Sequence, residues 1–151
     1  MTALHWKLVL DANDPHAQAA FWASALGYEA EDNSALVERL LAHGHVKPDQ
    51  TVQTSRGPAF RDLAAVRHPD DPYDPETGTG HGRRLLFQRV PEPGTGKNRL
   101  HLDIHATPDR DRDAEVARLE GLGATVLRQV KGPGGAWAVM ADPEGNEYCV
   151  H

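Results

Sequence analysis

The chain has 151 residues, with 16 basic against 22 acidic side chains and a net charge of −6, enough for one domain with a sizeable core. The acidic balance, without a Lys/Arg stripe, excludes a nucleic-acid surface, and no apolar run approaches the roughly 20 residues of a membrane span. A single cysteine, Cys149, excludes an internal disulfide and points to a reducing cytoplasm, and no signal-peptide pattern precedes the short apolar stretch Leu8-Val9-Leu10.

Residues 6 to 12 alternate in the strand manner, with Leu8, Leu10 and Ala12 on one face and Lys7, Val9 and Asp11 on the other. Asp14 then reads as an N-cap with Pro15 in the first helical position. Ala19, Ala20, Trp22, Ala23 and Leu26 keep a helical period, and Gly27 supplies the stop. A second amphipathic piece runs from Ser34 to His43, with Ser34 as its cap and Gly44 as its end. From Gly44 to Arg84 the chain turns polar and rich in Pro and Gly. We read one strand there, Leu63 to Arg67, with loops on either side. This 44–84 segment is an insertion, either a lid or binding loop or a solvated loop without a role.

Leu85 to Val90 reads as the next strand, stopped by Pro91-Glu92-Pro93-Gly94, and a polar linker covers Gly94 to Asn98. A strand follows over Arg99 to Ala106, then a helix over Asp111 to Leu122 with Val116 and Leu119 inward. Three strands close the chain, Thr125 to Val130, Ala136 to Ala141 and Glu147 to His151, the last two joined by the turn Asp142-Pro143-Glu144-Gly145-Asn146. Lys7-Leu8-Val9-Leu10-Asp11-Ala12 and His101-Leu102-Asp103-Ile104-His105-Ala106 look like two copies of one strand, each leading into a glycine-terminated helix. The order predicts an α+β fold of two βαβββ modules, 1–93 with its insertion and 99–151, forming one domain with a ligand cleft between its halves.

Phe21-Trp22 with Leu26-Gly27-Tyr28, the Asp142-Pro143-Glu144-Gly145-Asn146 turn and the doubled βαβββ order resemble the vicinal oxygen chelate superfamily of glyoxalases, bleomycin-resistance proteins and extradiol dioxygenases. Phe87-Gln88-Arg89-Val90-Pro91-Glu92 and Lys97-Asn98-Arg99-Leu100-His101-Leu102-Asp103 resemble its bacterial glyoxalase-like branch. The resemblance covers the chain outside the insertion. It implies a half-open barrel, a small-molecule ligand, often a homodimer, and a divalent metal held by the first and last strands of each module. The matching positions here are Lys7, Gln88, His101 and Cys149, of which only His101 is an ordinary ligand for a hard divalent cation.

The residues themselves add further candidates. His101, Asp103 and His105 alternate on one strand face as Lys7 and Asp11 do on the sister strand, and Glu147 and Cys149 join them from the last strand. An acid–base reading makes His101 or His105 the proton carrier, oriented by Asp103 or Asp11, with Lys7 steadying an oxyanion. Lys7 paired with Asp11 or Asp103 in a structural ion pair is the plainer reading. A rearranged zinc site would take His101 with His105, Glu147 or Cys149. Trp137 is placed to stack an aromatic ligand or to pack at the rim, and His68 and His81 belong to the insertion. The sequence therefore supports a small-molecule-binding protein, a lyase or isomerase working by proton transfer without the usual metal quartet. The alternatives are a metal-dependent lyase, isomerase or dioxygenase, and a non-catalytic binder of antibiotic-type compounds.

Overall fold

Each helix of the chain begins or ends where local chemistry dictates, as the computed structural model, which describes residues 1–151, makes plain. Strand β1 (Leu8–Ala12) leads into α1 (Pro15–Leu26). Asp14 accepts the Ala17 N–H at 3.0 Å, and Pro15, with no N–H to leave unpaired, takes the first position. Gly27 ends the helix at φ 66°, a left-handed conformation that glycine adopts without strain. Then come β2 (Glu29–Ala30), α2 (Ser34–Ala42), a 3-10 turn (Pro48–Gln50), β3 (Thr51–Thr54), β4 (Gly57–Phe60), β5 (Leu63–Arg67) and β6 (Arg84–Arg89). The remainder is β7 (Asp103–Ile104), α3 (Arg112–Gly121), β8 (Thr125–Gly132), β9 (Gly135–Ala141) and β10 (Glu147–Val150).

Two four-stranded sheets share one plan. Their orders are β1-β6-β5-β2 and β7-β10-β9-β8. In each, the first strand pairs parallel with the last, and the other pairings are antiparallel. The fold is α+β, and the βαβββ order occurs twice. Two compact units result, Met1–Pro91 and Glu92–His151. In the first, Trp22 and Phe21 on α1, ring centroids 5.3 Å apart and edge to face, are buried together with Val66, Leu85 and Phe87 of the sheet. In the second, Val116 and Leu119 of α3 are buried with Ala138, Met140, Tyr148 and Val150. Each such side chain contributes about 1.5–3 kcal/mol on leaving water. No helix is long and apolar enough to cross a membrane.

Three expectations change. The strand expected over Arg99 to Ala106 contracts to Asp103–Ile104. On either side single backbone bonds continue toward β10, Cys149 N–H to Leu102 O and Ala106 N–H to His151 O at 2.9 Å. Further back a side chain takes over: Asn98 Oδ1 accepts the Glu147 N–H at 2.8 Å and its Nδ2 donates to Glu147 O at 3.1 Å. The 44–84 insertion holds a hairpin as well as β5. Gln53 pairs with Pro58, and a proline is tolerated there because a two-stranded sheet has no inner position to disrupt. Ser34 is not the cap of α2. Asn33 occupies that place, its Nδ2 donates to Thr77 O at 2.7 Å, and Asp32 accepts the Ser34 N–H at 3.0 Å.

The rest of the insertion is tied down by charge. The Glu31 side chain is fully buried and meets Arg84 in two parallel bonds of 2.6 and 2.8 Å, while Gly80 N–H donates to the same carboxylate at 2.8 Å. Arg83 binds Asp71 through its side chain at 2.8 Å and its backbone N–H at 2.6 Å. These bonds hold the Asp71 carboxyl well below the usual range.

Candidate functional site

Alternation along β10 decides which side chains the second module offers. Tyr148 and Val150 are buried in register with Met140 and Ala138 of β9, so Glu147, Cys149 and His151 project to the opposite face. Cys149 pairs with Asp103 of β7, which adds Asp103 to that face, and residues two apart, His101 and His105, flank it.

One carboxylate organises the cluster. Asp103 Oδ1 lies 3.2 Å from His101 Nε2, and Asp103 Oδ2 lies 3.5 Å from His151 Nε2. The Cys149 thiol bonds the same carboxylate. Burial first, then the negative charge of Asp103 and that hydrogen bond, push the thiol above its ordinary value, against the weaker pull of Arg128 and Lys97. Cys149 is therefore a hydrogen donor to Asp103 at neutral pH, and a poor nucleophile.

Three rings extend the face. His151 stacks on His105 with centroids 5.2 Å apart and on Trp137 with centroids 5.8 Å apart, all within 29° of parallel. Gly132 makes room for the slab: a Cβ there would lie 3.3 Å from the Trp137 ring. Glu147, with its backbone clamped by Asn98, has a buried Oε2 that meets no hydrogen-bond partner.

The predicted residues thus fall into distinct groups. His101, Asp103 and Cys149 present ligand atoms within 4.8 Å of one another, and His105 joins the ring stack. Lys7, Asp11 and Gln88 belong to the first unit, where Asp11 and Gln88 are register partners on β1 and β6 and are exposed. His68 contacts Asp71 at 3.9 Å and the Tyr28 ring at 5.1 Å, a packing role within the insertion. His151 is the residue that sequence reasoning passed over. Its signal was its parity with Glu147 and Cys149 on the last strand.

The donor set also tests the metal that the fold implies. An imidazole, a carboxylate and a thiol suit a borderline ion of the zinc type and do not suit magnesium or manganese. Lys7, at a matching position of the first module, offers an ammonium, which binds no cation.

Solved structures define the fold class. A glyoxalase/bleomycin resistance protein/dioxygenase family enzyme from Burkholderia phytofirmans PsJN superposes with a TM-score of 0.57 at 15% identity, over 95% of this chain and 94% of that one. The bleomycin-binding protein of bleomycin-producing Streptomyces verticillus, solved with copper(II)-bleomycin, gives 0.52 at 21% identity over 99% and 96%. The fosfomycin resistance protein FosX of Mesorhizobium loti gives 0.60 at 10% identity over 100% and 92%. Comparison with curated proteins finds no match. The glyoxalase-like domain model matches residues 7–151, and the chain belongs to that family.

Proposed function

We propose that this glyoxalase-like protein binds a small planar carbonyl compound on the polar face of its second module and moves a proton there. The observation that carries the reading is the Asp103 carboxylate set against His101 at 3.2 Å and His151 at 3.5 Å. A neutral imidazole takes the proton from the carbon beside the carbonyl, the C–H pair becomes the enolate, and Asp103 balances the imidazolium. The same imidazolium returns the proton to carbon or oxygen. Arg128 and Lys97, whose charges reach Cys149, favour the enolate. The Trp137–His151–His105 slab suits a flat substrate.

The test is deuterium uptake from D2O into hydroxyacetone and phenylpyruvate, followed by proton NMR. Exchange above the buffer rate, lowered about 10²-fold or more in His101→Asn, supports the reading. Exchange at the buffer rate with both compounds, or equal rates in the variant, argues against it.

A second reading has its own observation, the approach of His101, Asp103 and Cys149 to within 4.8 Å. These residues would hold a zinc-type ion, which when bound polarises a carbonyl oxygen. A thermal-shift titration of chelator-treated protein with zinc separates the readings. Saturation at about 100 times the dissociation constant adds about 2.7 kcal/mol, lost in His101→Ala.

A further inference from the structure

The insertion builds a cavity of about 480 Å³ within the first unit, remote in sequence from every residue of the face just described. Three parts of the chain wall it: the β2 edge with the start of α2, the hairpin tip, and the strapped loop after β5. The loop's position is fixed. Gly78, at φ 76°, runs so close to Asp32 that a Cβ would come within 2.1 Å of its carbonyl oxygen. Asn33 and Glu31 bond the loop backbone at Thr77 and Gly80. A volume of this size accepts a small organic molecule.

The lining is charged in both signs. Arg67, with its side chain 12% exposed, pairs with Glu29 at 2.6 Å and lies 3.7 Å over the Tyr73 ring. Its Nε–H is buried out of reach of the cavity, so Arg67 contributes its charge to the lining and not a free donor. Arg56 at the hairpin tip spends one N–H on Ala30 O at 3.2 Å, its charge also acts on the Asp32 carboxylate, and the other N–H groups of its fork make no further hydrogen bond. Ala35, which also lines the cavity, lies in the first turn of α2, where Asp32 takes the Ser34 N–H at 3.0 Å and the next N–H groups have no side-chain cap from Asn33. Asp32 and Glu29 are engaged by Ser34 and Arg67, so Glu76 is the carboxylate of the lining with its charge to offer.

We infer that this cavity is a binding site for a small zwitterion of the amino-acid type. The carboxylate of the ligand lies with the free part of the Arg56 fork at the α2 N-terminus, and its ammonium faces Glu76 and the Tyr73 ring. Two guanidinium groups would favour a plain carboxylate, but three lining carboxylates make the cavity net acidic and oppose a bare anion. The inference stands independently of the proton-transfer reading.

Saturation-transfer NMR with L-serine, L-phenylalanine and L-arginine, with acetate and methylammonium as single-charge probes, tests it. The expected result is saturable binding of at least one amino acid with Kd at or below about 1 mM, and none for the single-charge probes. Arg56→Gln and Glu76→Gln, both at exposed positions, each weaken that binding about tenfold or more. Absence of binding by all three amino acids, equal binding of acetate, or unchanged affinity in Arg56→Gln would overturn the assignment.

Discussion

The two modules share a strand order and a capped first helix, yet they treat the sheet face away from that helix in opposite ways. In the first, Glu29, Arg67 and Arg84 stand in register across β2, β5 and β6, and the ion pairs of Arg67 with Glu29 and Arg84 with Glu31 anchor an insertion over this edge. In the second, no insertion intervenes, and His101 and Asp103 remain 43% and 47% exposed beside a stack of rings. The same topology thus carries a strapped face and an open one. The difference lies in the insertion that only the first module carries and in the charged residues at the outward parity of its strands, which tie that insertion down.

Breaking the strap should have the largest effect. Glu31→Gln leaves Arg84 in a buried setting with half its partner gone, and we expect a loss of about 3–5 kcal/mol in chemical denaturation. Asp142→Ala comes next. That buried carboxylate accepts the Glu144 and Asn146 N–H groups and the Asn146 side chain, so its removal from the β9–β10 turn should cost about 1–3 kcal/mol by the same assay. The helix caps offer a matched pair: Asp14 accepts Ala17 N–H at 3.0 Å and Asp111 accepts Ala114 N–H at 2.8 Å. Alanine at either cap should cost about 1 kcal/mol, and a large inequality would break the symmetry between the modules.

The smallest effect concerns the open face. The folded Cys149 thiol is raised by burial and by Asp103, so its contribution to stability is fully present below the ordinary thiol value and is lost as pH rises through the raised one. In Asp103→Asn the charge is gone. Alkylation of Cys149 by iodoacetamide should then set in at lower pH than in the natural chain, and an unchanged pH profile would remove Asp103 from the thiol's surroundings.

Much of this was legible in the sequence. Asp14-Pro15, Gly27 and the Asp142–Asn146 turn are local signals, satisfied by neighbours within a few residues, and they stand where the pattern put them. β5 was readable for the same reason, its apolar run being short and bounded. The hairpin was hidden because Pro58 reads as a strand breaker until its sheet is seen to have only two strands. The insertion's order was hidden because Glu31 and Arg84 are 53 positions apart, and no local period reports such a pair. In the site, the alternation of His101, Asp103 and His105 was visible. His151 was not singled out, because its partner Asp103 lies on another strand.

Amide chemical-shift mapping with phenylpyruvate tests the central contrast most directly. The largest shifts are expected at residues 101–105, Trp137 and 149–151, and they should be lost in Asp103→Asn. Largest shifts around Arg56, Arg67 and Tyr73 instead, or a map unchanged by the substitution, would contradict it.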